Sequence, residues 1–275
     1  MLRTPLTGLT AASKQLNAIS NNLANASTTG FKKSMAQFAD FMGESTATRP
    51  GSEAGKGVMA ISMRRSVEQG GLKQTGGSLD VALQGAGYMV FGDPANPTGE
   101  GDMSFSRAGA LTITPDGYLV DQSGAPVMGN PALSGTLQNP NLQAINIFKA
   151  VGNDPANLGS ITVDAQGLVS VTNAADGSIN KVAYLAVARF ENDNGLKAIG
   201  NTRYTTSTDS GDPQYGRGGS DGLGVFAQGN LEQSNVDITS ELMNMISAQQ
   251  AYNGSSRALQ AGSEMIRTAA EQIGS

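Results

Sequence analysis

The side chains best placed to do chemistry in this sequence are carboxylates, because it contains neither histidine nor cysteine. A pair of them could act as general acid and base. Asp80, Asp116 and Asp164 are the candidates, but each stands beside a turn sequence, where bonding to the local backbone accounts for it without catalysis. The glycines offer no phosphate cradle. Gly85–Ala86–Gly87, Gly55–Lys56–Gly57 and Gly222–Leu223–Gly224 all lack the third glycine of the dinucleotide fingerprint, and Gly-Lys-Ser/Thr is absent. Asn192, Asn194 and Gly195 suggest a calcium loop, but its first ligand position would fall on Phe190 and its twelfth on Asn201. There is no Gly-x-Ser-x-Gly elbow. The sequence therefore offers no active site, no metal site and no cofactor site, and the expectation is a protein that is not an enzyme.

Composition narrows the classes further. With 275 residues the chain is long enough to bury a substantial core. A net charge of −5 without a basic block argues against a nucleic-acid surface. Without cysteine there is no disulfide framework and no thiolate metal site. No run of about eighteen apolar residues occurs, so no single helix is expected to span a membrane. The N-terminal stretch, with one arginine and Lys14 interrupting it, lacks the pattern of a secretory signal.

Function must then reside in the elements themselves, and the two chain ends dominate. From Ile238 a sizeable apolar residue recurs every seven positions, at Met245, Tyr252, Leu259, Ile266 and Ile273. This spacing predicts one long helix with a continuous seam. Three positions behind runs a second column, Glu241, Ala248, Ser255, Gly262 and Ala269, whose small members would admit a close partner helix. Asp237 or Thr239 supplies the N-cap. Leu2, Leu9, Leu16 and Leu23, with Ile19, repeat the spacing at the N-terminus, where Pro5 is tolerable only in a first turn. Helices this long require packing partners, and matching seams at both ends predict that they pair.

Residues 36–75 read as an extended connecting arm, with a Gly/Ser/Thr/Pro-rich loop from Thr46 to Gly57 and a strand from Val58 to Val67. From Gly76 to Gly224 short apolar runs alternate with hairpin breaks such as Asp116–Gly117 and Asp176–Gly177, the pattern of an all-β domain. The expected fold class is α+β: a discontinuous coiled-coil pair of N- and C-terminal helices (1–35 and 226–275) plus a central all-β domain (76–225).

Three stretches give these elements a family likeness. They are Asn21 to Lys32 (Asn-Asn-Leu-Ala-Asn-Ala-Ser-Thr-Thr-Gly-Phe-Lys); Gln69 to Tyr88 with Phe105 to Gly109; and Leu231 to Asp237 with Glu241–Leu242 and Gln249 to Tyr252. Together and in this order the chain resembles the bacterial flagellar rod and hook family of axial proteins, most like the distal rod protein, with the hook protein next. The resemblance implies a structural subunit that polymerises helically into the flagellar rod and transmits torque to the hook. It also implies export through the flagellar type III apparatus without a cleaved signal. The implied place is the basal body, from periplasm to outer membrane. The implied partners are further copies of itself, other rod and hook proteins, and the ring proteins around the rod. Hook proteins usually carry an additional outer β domain, for which there is no room here. Yet Ala26 to Ser34 also looks like hook subunits, and the short Thr46–Gly57 loop departs from the distal-rod insertion. A compact hook subunit is therefore the alternative. From another class, the alternative is an oligomeric peptidoglycan-binding β module; a carboxylate-based hydrolase has the least support.

On this reading Leu9, Leu16, Ile19, Leu23, Ile238, Met245, Tyr252, Leu259, Ile266 and Ile273 form the helix-pair seam, and Leu259→Asp abolishes assembly. The intersubunit contacts fall to Asn22, Asn25, Ser27, Thr28, Thr29, Gly30 and Phe31, and along the small-residue column to Ala248, Ser255 and Gly262.

Overall fold

The computed structural model describes residues 3–40, 57–94, 102–131, 142–152 and 154–273. Apart from Gly57, the loop Thr46–Gly57 lies outside these residues, as do Leu2 and the Ile273 side chain. The chain forms two compact units, one comprising residues 1–26, 33–66 and 236–275 and the other residues 27–32 and 67–235.

The first unit contains helix α1 (Arg3–Ala24), strands β1 (Ser34–Asp40) and β2 (Val58–Arg65), and helix α2 (Ile238–Ile273). Pro5 sits in the first turn of α1, where its missing N–H removes no helical bond. At the start of α2 the Asp237 carboxylate accepts from the backbone N–H groups of Thr239 and Ser240 at 2.8 and 3.2 Å, which makes Asp237 the N-cap. The two helices pack on each other. Part of the expected arm is an antiparallel ribbon, β1 on β2, with a bulge between Gln37 and Phe38 that skips Ile61. That slip breaks the alternation of β1, in which Met35 and Phe38 are both exposed.

In the second unit the described strands all pair antiparallel, with short 3-10 turns between some of them. One sheet orders its five strands as Gln143–Ala144, Met128–Asn130, Ile179–Leu185, Leu168–Asn173 and Leu158–Val163. A six-stranded sheet runs Lys197–Gly200, Arg203–Thr205, Ser104–Ser106, Tyr88–Phe91, Val187–Arg189 and Gln214–Gly216. Short pairs join Val225–Gln228 to Val81–Gln84 and Asn230–Glu232 to Leu72–Gln74. The main core gathers Leu83, Met89, Phe91, Val169, Leu185 and Phe226. A second cluster is aromatic, with Phe105 edge-on to Phe190 at 4.7 Å and Tyr88 edge-on to Tyr204 at 6.0 Å.

Two of the three carboxylates singled out for chemistry bond locally beside their turns, while Asp116 takes part through its backbone carbonyl, which accepts from the Asn146 amide. Asp164 Oδ1 accepts from the N–H groups of Gln166 and Leu168 at 2.9 and 2.8 Å, and Gly167 closes the turn at φ 84°. Asp80 accepts from the Thr75 hydroxyl. Asn192, from the abandoned calcium loop, caps a 3-10 turn by accepting from Asn194 N–H.

Among the described glycines, Gly109 has the least room for a side chain, where it passes Val81. Val81 N–H donates to the Gly109 carbonyl at 2.9 Å, and a Cβ on Gly109 would overlap the Val81 carbonyl oxygen. The obstacle is backbone on both sides and cannot swing away. Gly109→Ala is therefore expected to destabilise the β unit by about 1–3 kcal/mol, read as a lower urea midpoint at unchanged slope. An unchanged midpoint would mean that the two strands separate freely.

Candidate assembly elements: the helix seam and a buried carboxylate

Two constellations of buried residues, one in each unit, hold the segments that the sequence marks for assembly. The first lies between the helices. On α1 the buried residues are Ala11, Ala12, Ala18, Ile19 and Asn22. On α2 they are Glu241, Ala248 and Gly262, with Ser255 half-buried on the same line. The small-residue column is thus the centre of the seam. Ala248 is only 1% exposed within a single chain, so it and Gly262 are not open contacts for a neighbour. The large-residue column flanks that centre: Leu9, Leu16, Leu23, Met245, Tyr252 and Leu259 are half-buried, while Ile238 and Ile266 are 50% and 54% exposed. On α2 the small column thus takes the place expected of the large one, because helix axes come closest where side chains are smallest; on α1 Ile19, expected in the seam, is buried there. Bulky residues then pack beside the line of contact rather than on it.

Asn22 is also an intrachain residue, not a free contact. Its Nδ2 donates to the Ser34 carbonyl at 2.8 Å and to Glu241 Oε2 at 3.1 Å, while its Oδ1 accepts from Ser34 N–H at 2.8 Å. Buried polar pairs of this kind lock helices into one register, because sliding either helix would strand both groups. The closest approach yields a direct check. A Cβ built on Gly8 lies 3.8 Å from Ser255 Cβ, which is about the mean Cβ–Cβ distance across a disulfide. Because the chain has no cysteine of its own, Gly8→Cys with Ser255→Cys is expected to oxidise to an intrachain crosslink, seen as a reductant-sensitive mobility shift. Dimers crosslinked between chains would show instead that the helices pair across molecules.

The second constellation lies in the β unit. Lys32 Nζ donates to Glu232 Oε1 at 2.6 Å and to the Glu68 carbonyl at 2.6 Å. Arg107 Nη1 reaches Glu232 Oε2 at 3.3 Å, and Arg107 Nη2 donates to the Gly85 carbonyl at 2.7 Å. Gly70 N–H donates to Glu232 Oε1 at 3.0 Å, and Gly30 N–H to the Glu232 carbonyl at 2.8 Å. The Glu232 side chain is 0% exposed. Burial pushes the Lys32 ammonium below its usual value, against the upward pull of the Glu232 carboxylate.

The loop Ser27–Lys32 is built onto this centre. Gly30 turns at φ 68°, and a Cβ there would lie 2.6 Å from Ala108 N, so only glycine lets the loop lie this close. Gly30 is accordingly buried, whereas Ser27 is exposed and Thr28, Thr29 and Phe31 are partly exposed. Asn25, also partly exposed, belongs to the other unit, where its Nδ2 donates to the Asn21 carbonyl. Lys32, Arg107 and Glu232 did not stand out in the sequence, since charged residues ordinarily mark solvated faces. The only hint was that each lies inside one of the three family-like stretches.

Comparison with known proteins gives these elements a context. The profile described as "Flagella basal body rod protein" matches residues 2–32. "Flagellar hook protein FlgE/F/G D1 domain" matches residues 82–171. "Flagellar basal body rod FlgEFG protein C-terminal" matches residues 227–272. The chain is 33% identical over 272 residues to the flagellar basal-body rod protein FlgG of Buchnera aphidicola subsp. Baizongia pistaciae, covering 95% of each. It is 31% identical over 283 residues to the protein of that name from Caulobacter vibrioides, covering 98% of each. The flagellar basal-body rod protein FlgF of Caulobacter vibrioides is 31% identical over 261 residues, 95% of this chain and 92% of that one. With paired terminal helices, a β unit between them and relatives matched nearly end to end, the chain belongs to the flagellar basal-body rod and hook protein family.

Proposed function

We infer that the chain is a structural subunit of the bacterial flagellar rod: copies stack helically into the basal-body shaft and carry torque towards the hook. Its work is packing, with no catalytic step. The observation that carries this reading is the apolar outer surface of the helical unit. Leu242, Met243, Ile246, Met265 and Ile266 on α2, and Met35, Met59, Ile61 and Met63 on the ribbon, are exposed in the single chain, Met243 by 65%. A monomer in water does not leave so many large apolar side chains uncovered without use. Further copies would cover them, together with Asn25, Ser27, Thr28, Thr29 and Phe31. Rod-named relatives matched over 95–98% of the chain favour the rod over a compact hook subunit. Neighbouring rod and hook proteins and the surrounding rings follow as partners, and the type III apparatus as the export route.

The test uses the hairpin tip at Asp176–Gly177, which is exposed and has nothing within 4 Å of a Cβ on Gly177. A small epitope inserted there is expected to label the straight segment of purified basal bodies in electron micrographs. Label along the curved segment beyond the outer ring would make the chain a hook subunit. Absence from both would favour the glycan-binding module instead.

A further inference from the structure

We propose that Lys32 and Glu232 are positioning residues for assembly: their ion pair fixes the Ser27–Phe31 loop in the one shape that a neighbouring copy of this chain fits. The inference rests on the rod reading and goes further, assigning the control of that contact to two residues that no neighbour touches. Lys32 and Glu232 are shut off from solvent, so neither can meet a partner directly. What they hold is the loop. Lys32 anchors its end through Glu232 Oε1 and the Glu68 carbonyl. Gly30 N–H ties its middle to the Glu232 carbonyl, and Phe31 accepts from Asn235 N–H at 3.4 Å. One glutamate thus grips the loop through both its side chain and its backbone, while Ser27, Thr28, Thr29 and Phe31 keep outward-facing area.

The same carboxylate is also held from the β side by Arg107 and Gly70. Removing Lys32 therefore leaves Glu232 paired, and the unit retains its reason to fold. Lys32→Met, similar in length and unbranched, separates positioning from stability. Fixing a contact surface before binding removes an ordering cost from every subunit added, and such a cost is multiplied along a polymer.

The full-length protein is compared with K32M and with Val169→Ala, a fully buried core truncation whose stability loss serves as a control. Hydrogen exchange of the 27–33 segment in the soluble chain is expected to quicken at least tenfold in K32M and to stay unchanged in V169A. Incorporation into basal bodies is expected to fall at least tenfold in K32M alone. Wild-type exchange or wild-type incorporation in K32M would overturn the proposal, as would equal loss in V169A. If the wild-type chain is itself absent from basal bodies, the rod reading fails and this inference with it. If it is present and K32M joins it equally, only the inference fails.

Discussion

Ala248→Asp is expected to separate the helix pair and end assembly while the β unit stays folded. Ala248 is at the centre of the α1–α2 seam, on the line where the helices lie closest. An aspartate there is shut off from water, and burying a charge in the seam costs several kcal/mol. The helices, of 22 and 36 residues, depend on this mutual contact, with α1 also resting on the β1–β2 ribbon, and helices are marginal without packing. Far-UV circular dichroism should therefore lose most of its helical signal, with a cooperative β transition persisting on heating, and no rods should form. Leu259→Asp makes the contrast. Leu259 is half-buried beside the seam, so its carboxylate can reach solvent, and a smaller helical loss is expected. If L259D unpaired the helices and A248D did not, the large-residue column would be the true centre.

That comparison also shows where the sequence was transparent and where it was not. The seven-residue spacing reveals both helices, because it depends only on one apolar stripe, and Asp116–Gly117 or Asp176–Gly177 mark hairpins through a conformation few residues adopt. Which stripe forms the line of closest contact is not set by hydrophobicity. It depends on how near two backbones can come, and hence on Gly8 meeting Ser255, a pairing of residues 247 positions apart. The ribbon strand Ser34–Asp40 was hidden because its pairing slips past Ile61 of Val58–Arg65, which breaks its alternation. Lys32, Arg107 and Glu232 were hidden for a different reason. Each has the side chain of a surface residue, and only the tertiary fold brings a 232nd residue to a 32nd. Asn22 appeared in the right stretch but with the wrong duty, since a buried asparagine and a surface one look alike in a sequence.

Glu232→Ala should be the most destabilising single change in the β unit. The substitution leaves the Lys32 ammonium and the Arg107 guanidinium in a site closed to water, both having lost the same counter-charge. It also strips Gly70 N–H of its acceptor. Breaking a buried ion pair from one side costs about 3–5 kcal/mol, and for a unit of this size each kcal/mol lowers the melting temperature by roughly 2–4 °C. A fall of about 10 °C is therefore expected by calorimetry. Because the charges are out of reach of counter-ions, the fall should be nearly the same in 1 M salt as in dilute buffer. Glu232→Gln should fall between the two proteins, since the amide oxygen can still accept from Gly70 but no longer neutralises either cation. The exposed Arg267–Glu271 pair, one turn apart on α2 at 3.7 Å, provides the opposite case. Glu271→Gln should leave the melting temperature unchanged at any ionic strength, as exposed pairs contribute little. A Glu232→Ala protein that melted within a degree or two of wild type, or whose loss vanished in high salt, would show that solvent reaches the carboxylate. The loop from Ser27 to Lys32 would then be held by its glycine turn and backbone bonds alone.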